Sequence, residues 1–342
     1  MTNGKINFLK DRAIDRATAH HILAADIGGT NSRFAHFTAS EAGGLSLASA
    51  IWLKTAEAGS FSGLLANLKA SAFPLPPEEA DIVGIAIAGP VIGGKKSSPP
   101  LIPWDIDISQ AQEDYGFKRS FLINDFVAQA YACVSPAAES AEVILEGFPE
   151  QQSAIGVIGA GTGLGKACVI PDGRGGYFAN PSEGAHAAFP LIGERECRFQ
   201  QFLTGMHRTT YATYNHVVSG RGLAALHEFL TGMALEPAQV AEQFPQYPET
   251  LAWFARFYGR ACRDFALETL SLGGFYIAGG LAARNPEIAR HKSFREEFLA
   301  SDAMLHVLAR LPVFLIRDQN SGLWGAAEKA ALEMAGVRNG SL

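Results

Sequence analysis

Asp26-Ile-Gly-Gly-Thr-Asn-Ser-Arg33 stands between two apolar runs, Ile22-Leu-Ala-Ala25 before it and Phe34-Ala-His-Phe37 after it. The arrangement returns further along, where Gly159-Ala-Gly-Thr-Gly-Leu-Gly165 separates Ile155-Gly-Val-Ile158 from Ala167-Cys-Val-Ile170. Both stretches read as strand, glycine turn, strand. Glycine lacks a Cβ, so its backbone can take positive φ and come close to an anion. Successive N–H groups in such a turn form a concave nest for phosphate oxygens. Two nests on opposing halves would grip a polyphosphate, which points to a nucleotide clamp.

Outward from the first turn, residues 47–55 supply a third strand. A helix is expected over residues 60–71, with Phe61, Leu64, Leu65 and Leu68 on one face. It stops before Pro74-Leu-Pro-Pro77. Ile82-Val-Gly-Ile-Ala-Ile-Ala88 is continuously apolar, as in a strand covered on both faces; residues 93–100 read as a loop. Phe121-Leu-Ile123 is a short buried strand that delivers Asn124-Asp125 into a helical run over residues 126–133. The second unit opens near Ile155, with helices expected over residues 194–203 and 251–270. Gly274-Phe-Tyr-Ile-Ala-Gly-Gly-Leu281 is a buried strand ending in paired glycines, and Pro312-Val-Phe-Leu-Ile316 is the last strand. Asn320-Ser321 caps a terminal helix reaching about Ala335, with Gly336 as its C′ residue. Strands alternating with helices give an α/β architecture, and the two similar openings suggest an internal duplication.

At 342 residues, length favours roughly two domains. Hydrophobic residues at 48% and charged residues at 18% provide material for two cores. A net charge of −6 argues against a nucleic-acid partner, which needs a basic patch to neutralise phosphates. Cys133, Cys168, Cys197 and Cys262 form no CxxC pair or metal-ligand spacing, so they read as buried free thiols of a reducing compartment. No apolar run approaches the ~18 residues of a membrane span. Residues 1–20 lack a signal peptide's apolar centre and read as a loose extension. The expected location is cytoplasmic.

Neither turn is a standard phosphate motif. In a Walker A reading, Ala160 stands where the first glycine belongs and Ala167 replaces Ser/Thr after Lys166. The dinucleotide GxGxxG fails because Leu164 breaks the register after Gly159 and Gly161. One glycine turn is as readily a tight hairpin; two, each with a threonine (Thr30, Thr162), favour phosphate. Asp26, at a strand end, suits a carboxylate near Mg2+, which prefers oxygen ligands and keeps several waters; an Asx-turn or cap is the alternative. Asp125 follows a strand, where ligands of α/β sheets gather, and can accept a hydroxyl proton during phosphoryl transfer. It can equally cap the following helix, and spacing leaves the two readings even. Glu183-Gly-Ala-His186 sets a carboxylate and an imidazole three residues apart, suited to polyol hydroxyls. Gly279-Gly280 lets a planar base lie against backbone, or simply turns strand into helix. Trp52, Trp104, Trp253 and Trp324 read as core.

With these segments in order, the chain resembles the bacterial glucokinase family of the sugar kinase/chaperone/actin superfamily, from about Ile22 to the terminal helix. Asp26 to Arg33 is similar to the family's first phosphate segment, residues 84–91 to its first connecting segment, and Leu122-Ile-Asn-Asp-Phe126 to its catalytic strand. Residues 159–165 resemble the second phosphate segment, 274–282 the adenosine segment, and Gly322-Leu-Trp-Gly-Ala-Ala327 the second connecting segment. The resemblance implies an α/β fold of two ribonuclease H-like (actin-like ATPase) domains around a central cleft. The smaller would hold residues 21–133 plus 318–342 and the larger 134–317, after the extension at 1–20.

The resemblance further implies ATP and Mg2+ as cofactors, and transfer of the γ-phosphoryl group to the 6-hydroxyl of a hexose. Glucose is the first expectation, as in a glucokinase that opens glycolysis. By this similarity Asp125 is the general base, and Asn124, Asp125, Glu183, His186 and Asn215 hold the sugar. The nucleotide falls to Asp26, Gly28, Gly29, Thr30 and Asn31, with Gly161, Thr162, Gly163, Gly279 and Gly280; Asp26 also serves the metal. The zinc-binding cysteine cluster of the related repressor/open-reading-frame/kinase group is missing from the sequence, which places the chain in the non-zinc branch. Family members are often dimers, so a homodimer is one assembly to expect.

Three positions depart from the family's pattern. In Tyr214-Asn-His-Val-Val-Ser-Gly220, Asn215 puts an amide where the family has a sugar-binding Glu. Pro100-Leu101 stands where Thr-Asn is common, and Ala188 replaces an acidic residue two positions after His186. A hydrogen bond to a charged group contributes about 1.5–3 kcal/mol, so losing one such acceptor corresponds to roughly ten- to a hundredfold in glucose affinity. Two other readings therefore stay open: a kinase for another hexose or an amino sugar, and a non-catalytic actin-like nucleotide-binding module. The Asn124-Asp125 and Glu183/His186 pairs argue against the module.

Overall fold

A computed structural model describes residues 7–8, 19–40 and 44–338. The chain divides into two compact units: unit 1 runs up to Glu139 and resumes at Asn320, and unit 2 is Ser140–Gln319.

Unit 1 contains β1 (Asn7–Phe8), β2 (His20–Ile27), β3 (Asn31–Ala39), β4 (Leu45–Lys54), β5 (Ile82–Ile87), β6 (Lys96–Ser97), β7 (Ile106–Asp107) and β8 (Ser120–Asn124). All but β6 and β7 join one sheet in the order β1-β4-β3-β2-β5-β8. The β2–β3 and β3–β4 pairs are antiparallel, and β2–β5 and β5–β8 are parallel. The loop expected over residues 93–100 instead contains β6, which pairs with β7. Ile92 O accepts the N–H of Lys96, closing a turn that folds the chain back into this ribbon. Most of residues 1–20 lie outside the described residues; Asn7–Phe8 pairs with β4 and His20 begins β2, so at those positions the expected loose extension is sheet.

Alternation along the strands assigns each face of this sheet a partner. Leu23, Ala25 and Ile27 join Val83, Ile85 and Ile87 in one cluster with Phe61, Leu64, Leu65 and Leu68 of the helix Phe61–Ala70. That helix starts where expected because Ser60 Oγ accepts the N–H of Gly63. The opposite face meets the terminal helix, Ser321–Arg338. Gly84 and Gly325 make this contact close: a Cβ on Gly84 would lie 2.9 Å from Ala326 O, and one on Gly325 would overlap Ala128 O of the helix Asp125–Ala132. The terminal helix runs through Gly336, so that glycine is not a C′ residue. Glycine weakens a helix without ending it, and here the alanine-rich turns before it carry the helix onward.

Unit 2 contains β9 (Glu142–Leu145), β10 (Ile155–Ala160), β11 (Leu164–Pro171), β12 (Tyr177–Ser182), β13 (Gly274–Ala278) and β14 (Val313–Leu315), in the order β12-β11-β10-β13-β14-β9. β9 lies upstream of the Ile155 opening and had no periodic signal of its own. Taken in chain order and without the edge strands β1 and β9, both sheets read third, second, first, fourth, fifth. The pairs are antiparallel, antiparallel, parallel and parallel in each. The duplication suggested by two glycine turns extends to whole sheets. Helices Glu194–His207 and Pro248–Glu268 cover the unit 2 sheet, with Phe199, Leu203, Phe254, Phe257, Tyr258 and Phe265 packed on Ile158, Phe275 and Ile277.

Candidate active site

In unit 1, β2 ends by presenting Asp26 directly opposite Arg33 on β3. Arg33 Nη1 donates to Asp26 Oδ2 at 2.9 Å, and its guanidinium lies over Trp52, 4.5 Å from the ring centroid. Burial pushes the Asp26 carboxyl above its ordinary range, and the Arg33 charge opposes that shift without cancelling it. The terminal helix begins against this carboxylate: a Cβ on Gly322 would stand 3.0 Å from Asp26 Oδ2. Between Asp26 and Arg33 the chain turns through Gly28, Gly29 and Thr30. Gly28 N donates to Asn31 O, and Thr55 pins the turn twice, its N–H to Thr30 O and its hydroxyl to Gly28 O. Lys54 Nζ donates to Asn31 Oδ1 at 3.0 Å.

The backbone at Gly28 and Gly29 is not left-handed, so the expected positive φ is not why glycine stands there. Space is the reason at Gly29, where a Cβ would come within 2.9 Å of Leu101 Cβ and 3.0 Å of Leu101 O. Leu101, one of the departures from the family pattern, therefore lies against the first turn.

Asp125 comes at the end of β8, as the first residue of the helix Asp125–Ala132. The cap of that helix is Asn124, whose Oδ1 accepts the N–H groups of Phe126 (2.9 Å) and Val127 (3.3 Å). Asn124 Nδ2 donates to Gly89 O at 3.0 Å. Asp125 Oδ1 accepts the N–H of Phe126 at 2.9 Å. Asn124 therefore fills the N-cap position, and Asp125 takes the first helical position with one oxygen on the N–H of Phe126.

In unit 2 the second turn is shorter, and its strands close at Gly159 opposite Gly165 and Ala160 opposite Leu164. Gly161 N donates to Gly163 O at 2.7 Å, and Gly220 N donates to Gly161 O at 2.8 Å. Asn215 Oδ1 accepts the N–H of Leu164 at 2.8 Å, and a Cβ on Gly163 would lie 2.9 Å from that same oxygen. The run from Tyr214 to Gly220 therefore clamps the turn at two points. Because Leu164 offers a hydrogen, Asn215 must turn its oxygen to it, leaving Nδ2 as its remaining donor. Gly161 differs from its neighbours: nothing lies within 4 Å of where its Cβ would be.

Gly279 does need its glycine. Its φ is +83°, and a Cβ would stand 2.7 Å from Ala160 O, bringing the turn after β13 against the end of β10. Gly280 opens the short helix Gly280–Arg284 beneath the Arg284 guanidinium.

Glu183 and His186 flank a single turn of 3-10 helix, Gly184–His186, with Oε2 and Nε2 3.7 Å apart. Both side chains are exposed, at 71% and 68%, so the pair is presented outward rather than packed. Unit 1 thus carries Asp26, Gly28, Gly29, Thr30, Asn31, Asn124 and Asp125. Unit 2 carries Gly161, Thr162, Gly163, Glu183, His186, Asn215, Gly279 and Gly280.

Trp253 is buried as expected, whereas Trp52, Trp104 and Trp324 are half-buried. Cys133, Cys168 and Cys262 are buried, but Cys197 is exposed on the helix Glu194–His207, whose polar face reaches solvent there. Among the described residues, no cluster of three or more His, Cys, Asp or Glu side chains is placed to hold a metal, and no helix is long and apolar enough to cross a membrane. Sequence reasoning assigns no role to Thr55, Gly220 or Lys166. Only Lys166 left a signal, as a charge inside the apolar run of β11.

The profile of the glucokinase family matches residues 23–333. A glucokinase of Nostoc punctiforme is 29% identical, over 91% of this chain and 98% of the relative; one from a Nostoc sp. is 30% identical with the same coverage. The crystal structure of a glucokinase from an Antarctic psychrotroph superposes with a TM-score of 0.77 at 28% identity, over 90% of this chain and 98% of that one. The shared architecture is the two-domain actin-like ATPase fold, whose ribonuclease H-like strand order both sheets repeat. Match, coverage and topology agree: the chain belongs to the glucokinase family of sugar kinases.

Proposed function

We propose that the protein is an ATP-dependent glucokinase, transferring the γ-phosphoryl group of ATP to the 6-hydroxyl of glucose with Asp125 as general base. The observation that carries this reading is the division of labour between Asn124 and Asp125. Asn124 Oδ1 takes the N–H groups of Phe126 and Val127, and beside it the Asp125 carboxylate stands at the strand end, where it accepts Phe126 N–H through Oδ1 and can take the proton of a substrate hydroxyl.

The two turns supply phosphate contacts through the N–H groups of Gly29, Thr30, Thr162 and Gly163, which make no hydrogen bond among the described residues. The open space at Gly161 leaves room for the phosphate itself. Asp26 fits a magnesium site through Oδ1, because Arg33 holds Oδ2, and Mg2+ accepts one carboxylate oxygen with waters filling its remaining positions. Bound there, Mg2+ would neutralise charge on the phosphates. Glu183 and His186 present an acceptor and a donor to sugar hydroxyls. Asn215 keeps Nδ2 as a donor, so it suits a sugar that offers a lone pair at that point.

ADP release from ATP, followed across glucose, mannose, fructose and glucosamine, tests the proposal. Glucose should turn over fastest. Turnover of glucosamine or mannose well above glucose would move the substrate to the alternative that Asn215 raises, and hydrolysis independent of any sugar would remove the kinase reading.

A further inference from the structure

β11 carries Lys166 into the interior of unit 2. Its partner across β10 is Ile158, on the face covered by the helix Pro248–Glu268, and only 1% of the residue is exposed. The ammonium makes no hydrogen bond. It has instead the face of Tyr214, with Nζ 3.8 Å from the ring centroid, and more distantly Phe265 at 5.3 Å. On its other side the stem runs beneath Gly184, where a Cβ would lie 3.7 Å from Lys166 Cδ and 3.9 Å from Nζ. Burial lowers the pKa of this lysine, opposed by the charges of Glu268 and Asp264. An apolar side chain would pack here without the desolvation cost of a cation, so the charge calls for a role.

Its neighbours indicate one. Tyr214 is held at its far end, where the hydroxyl donates to Asp264 Oδ2 at 2.7 Å, and it opens the helix Tyr214–Val217 whose next residue is Asn215. Gly184 belongs to the turn flanked by Glu183 and His186. Lys166 therefore fills the space between the two segments that carry Glu183, His186 and Asn215. We propose that Lys166 is a positioning residue for hexose binding, its ammonium seated on the Tyr214 ring under the Gly184 turn so that the two sugar-holding segments keep a fixed separation. This rests on the kinase reading above.

Lys166→Met keeps most of the stem and removes the charge. The expected result is a rise of about tenfold in the KM for glucose, with kcat and the KM for ATP within about twofold of the unaltered enzyme. Tyr214→Phe keeps the ring face, so Lys166→Met should have its full effect in that background. Tyr214→Leu removes the ring, and there Lys166→Met should add little, because two residues acting through one contact are not additive.

Equal rises in both KM values, a loss of thermal stability with unchanged kinetics, or full additivity with Tyr214→Leu would each overturn the proposal. Should Lys166→Met not fold, Tyr214→Leu alone decides, since it must raise the glucose KM selectively. Hexose-dependent ADP release by the unaltered protein is measured first. Its absence counts against the kinase reading, and the effect of the same variants on glucose binding is then read by calorimetry.

Discussion

Across the first hairpin Asp26 faces Arg33; across the second, the same register positions hold Gly159 and Gly165. The two sheets share a strand order and a glycine turn, yet one turn has a charged pair at its base and the other has only backbone. What supports each turn differs to match. The first is pinned by a strand-end threonine, Thr55, and lies under an exposed loop residue, Leu101. The second is braced by Gly220 and Asn215 and crossed by Gly279 from β13. The fold repeats, while the side chains around each turn differ. In the proposed reading, unit 1 holds Asp26 and Asp125, and unit 2 holds Glu183, His186 and Asn215.

The sharpest way to break that division is Asp125→Ala. General-base catalysis typically contributes ~10²–10⁴-fold, so kcat should fall at least ~10²-fold while the melting temperature holds, since Asn124 retains the cap. Near-full activity would return the chemistry to unit 2 or to water. Arg260→Leu attacks the other side of the comparison. Arg260, 4% exposed, donates to Glu196 Oε2 at 2.6 Å, Glu297 Oε1 at 2.7 Å and Pro190 O at 2.6 Å. Removing it leaves two acids short of a buried partner, which typically costs about 3–5 kcal/mol. The lower figure is expected, because Arg256 and Arg263 each keep a contact with one acid. Urea denaturation should show the loss, and an unchanged midpoint would mean that these ions do not hold the helical layer of unit 2.

These two variants also mark what the chain reveals before it folds. The place of Asp125 was legible because strand, acid and helix follow one another in sequence, whereas its role came only from the resemblance. The same local signals gave the sheets, the helix capped by Ser60 and both glycine turns. The Arg260 network was not legible, because Glu196, Glu297 and Pro190 come to it from distant segments with no spacing rule. The committed oxygen of Asn215 was hidden in the same way. The resemblance leads one to expect a Glu at this position, but only the folded chain shows Leu164 N–H bonded to the Asn215 oxygen. Where sequence reasoning erred, it gave one local rule too much weight. Gly336 is expected as a stop although the alanine-rich helix carries on through it, and Gly29 stands where it does for the space beside Leu101 rather than for a positive φ.

Gly161 and Gly29 sharpen the comparison at lower cost. Gly161→Ala meets no protein atom, so the fold should be indifferent while the KM for ATP rises about tenfold, the equivalent of about 1.4 kcal/mol of lost binding. Gly29→Ala must push Leu101 aside, and should lower the melting temperature as well. An unchanged ATP KM in Gly161→Ala would show that the space at the second turn is not used by phosphate.

The smallest effect separates the units by their response to protons. Glu328, on the terminal helix of unit 1, has its pKa raised from 4.5 to about 7 by burial. Between those values the folded chain keeps a proton that the unfolded chain has lost, so stability falls as pH rises through that window and stays lower above it. Glu328→Gln cannot ionise; it should melt a few degrees higher than the unaltered protein at pH 8 and equally at pH 4. Lys166 in unit 2 is the mirror case. Its pKa is lowered from 10.5, so between that lowered value and 10.5 the unfolded chain holds the extra proton, and stability from this group rises with pH through that window and levels off above it. If Glu328→Gln flattens the neutral range and Lys166→Met the alkaline one, each unit carries its own shifted group, an acid in unit 1 and a base in unit 2. If Glu328→Gln melts like the unaltered protein at both pH values, the carboxyl is hydrated in solution and the contrast rests on Lys166 alone.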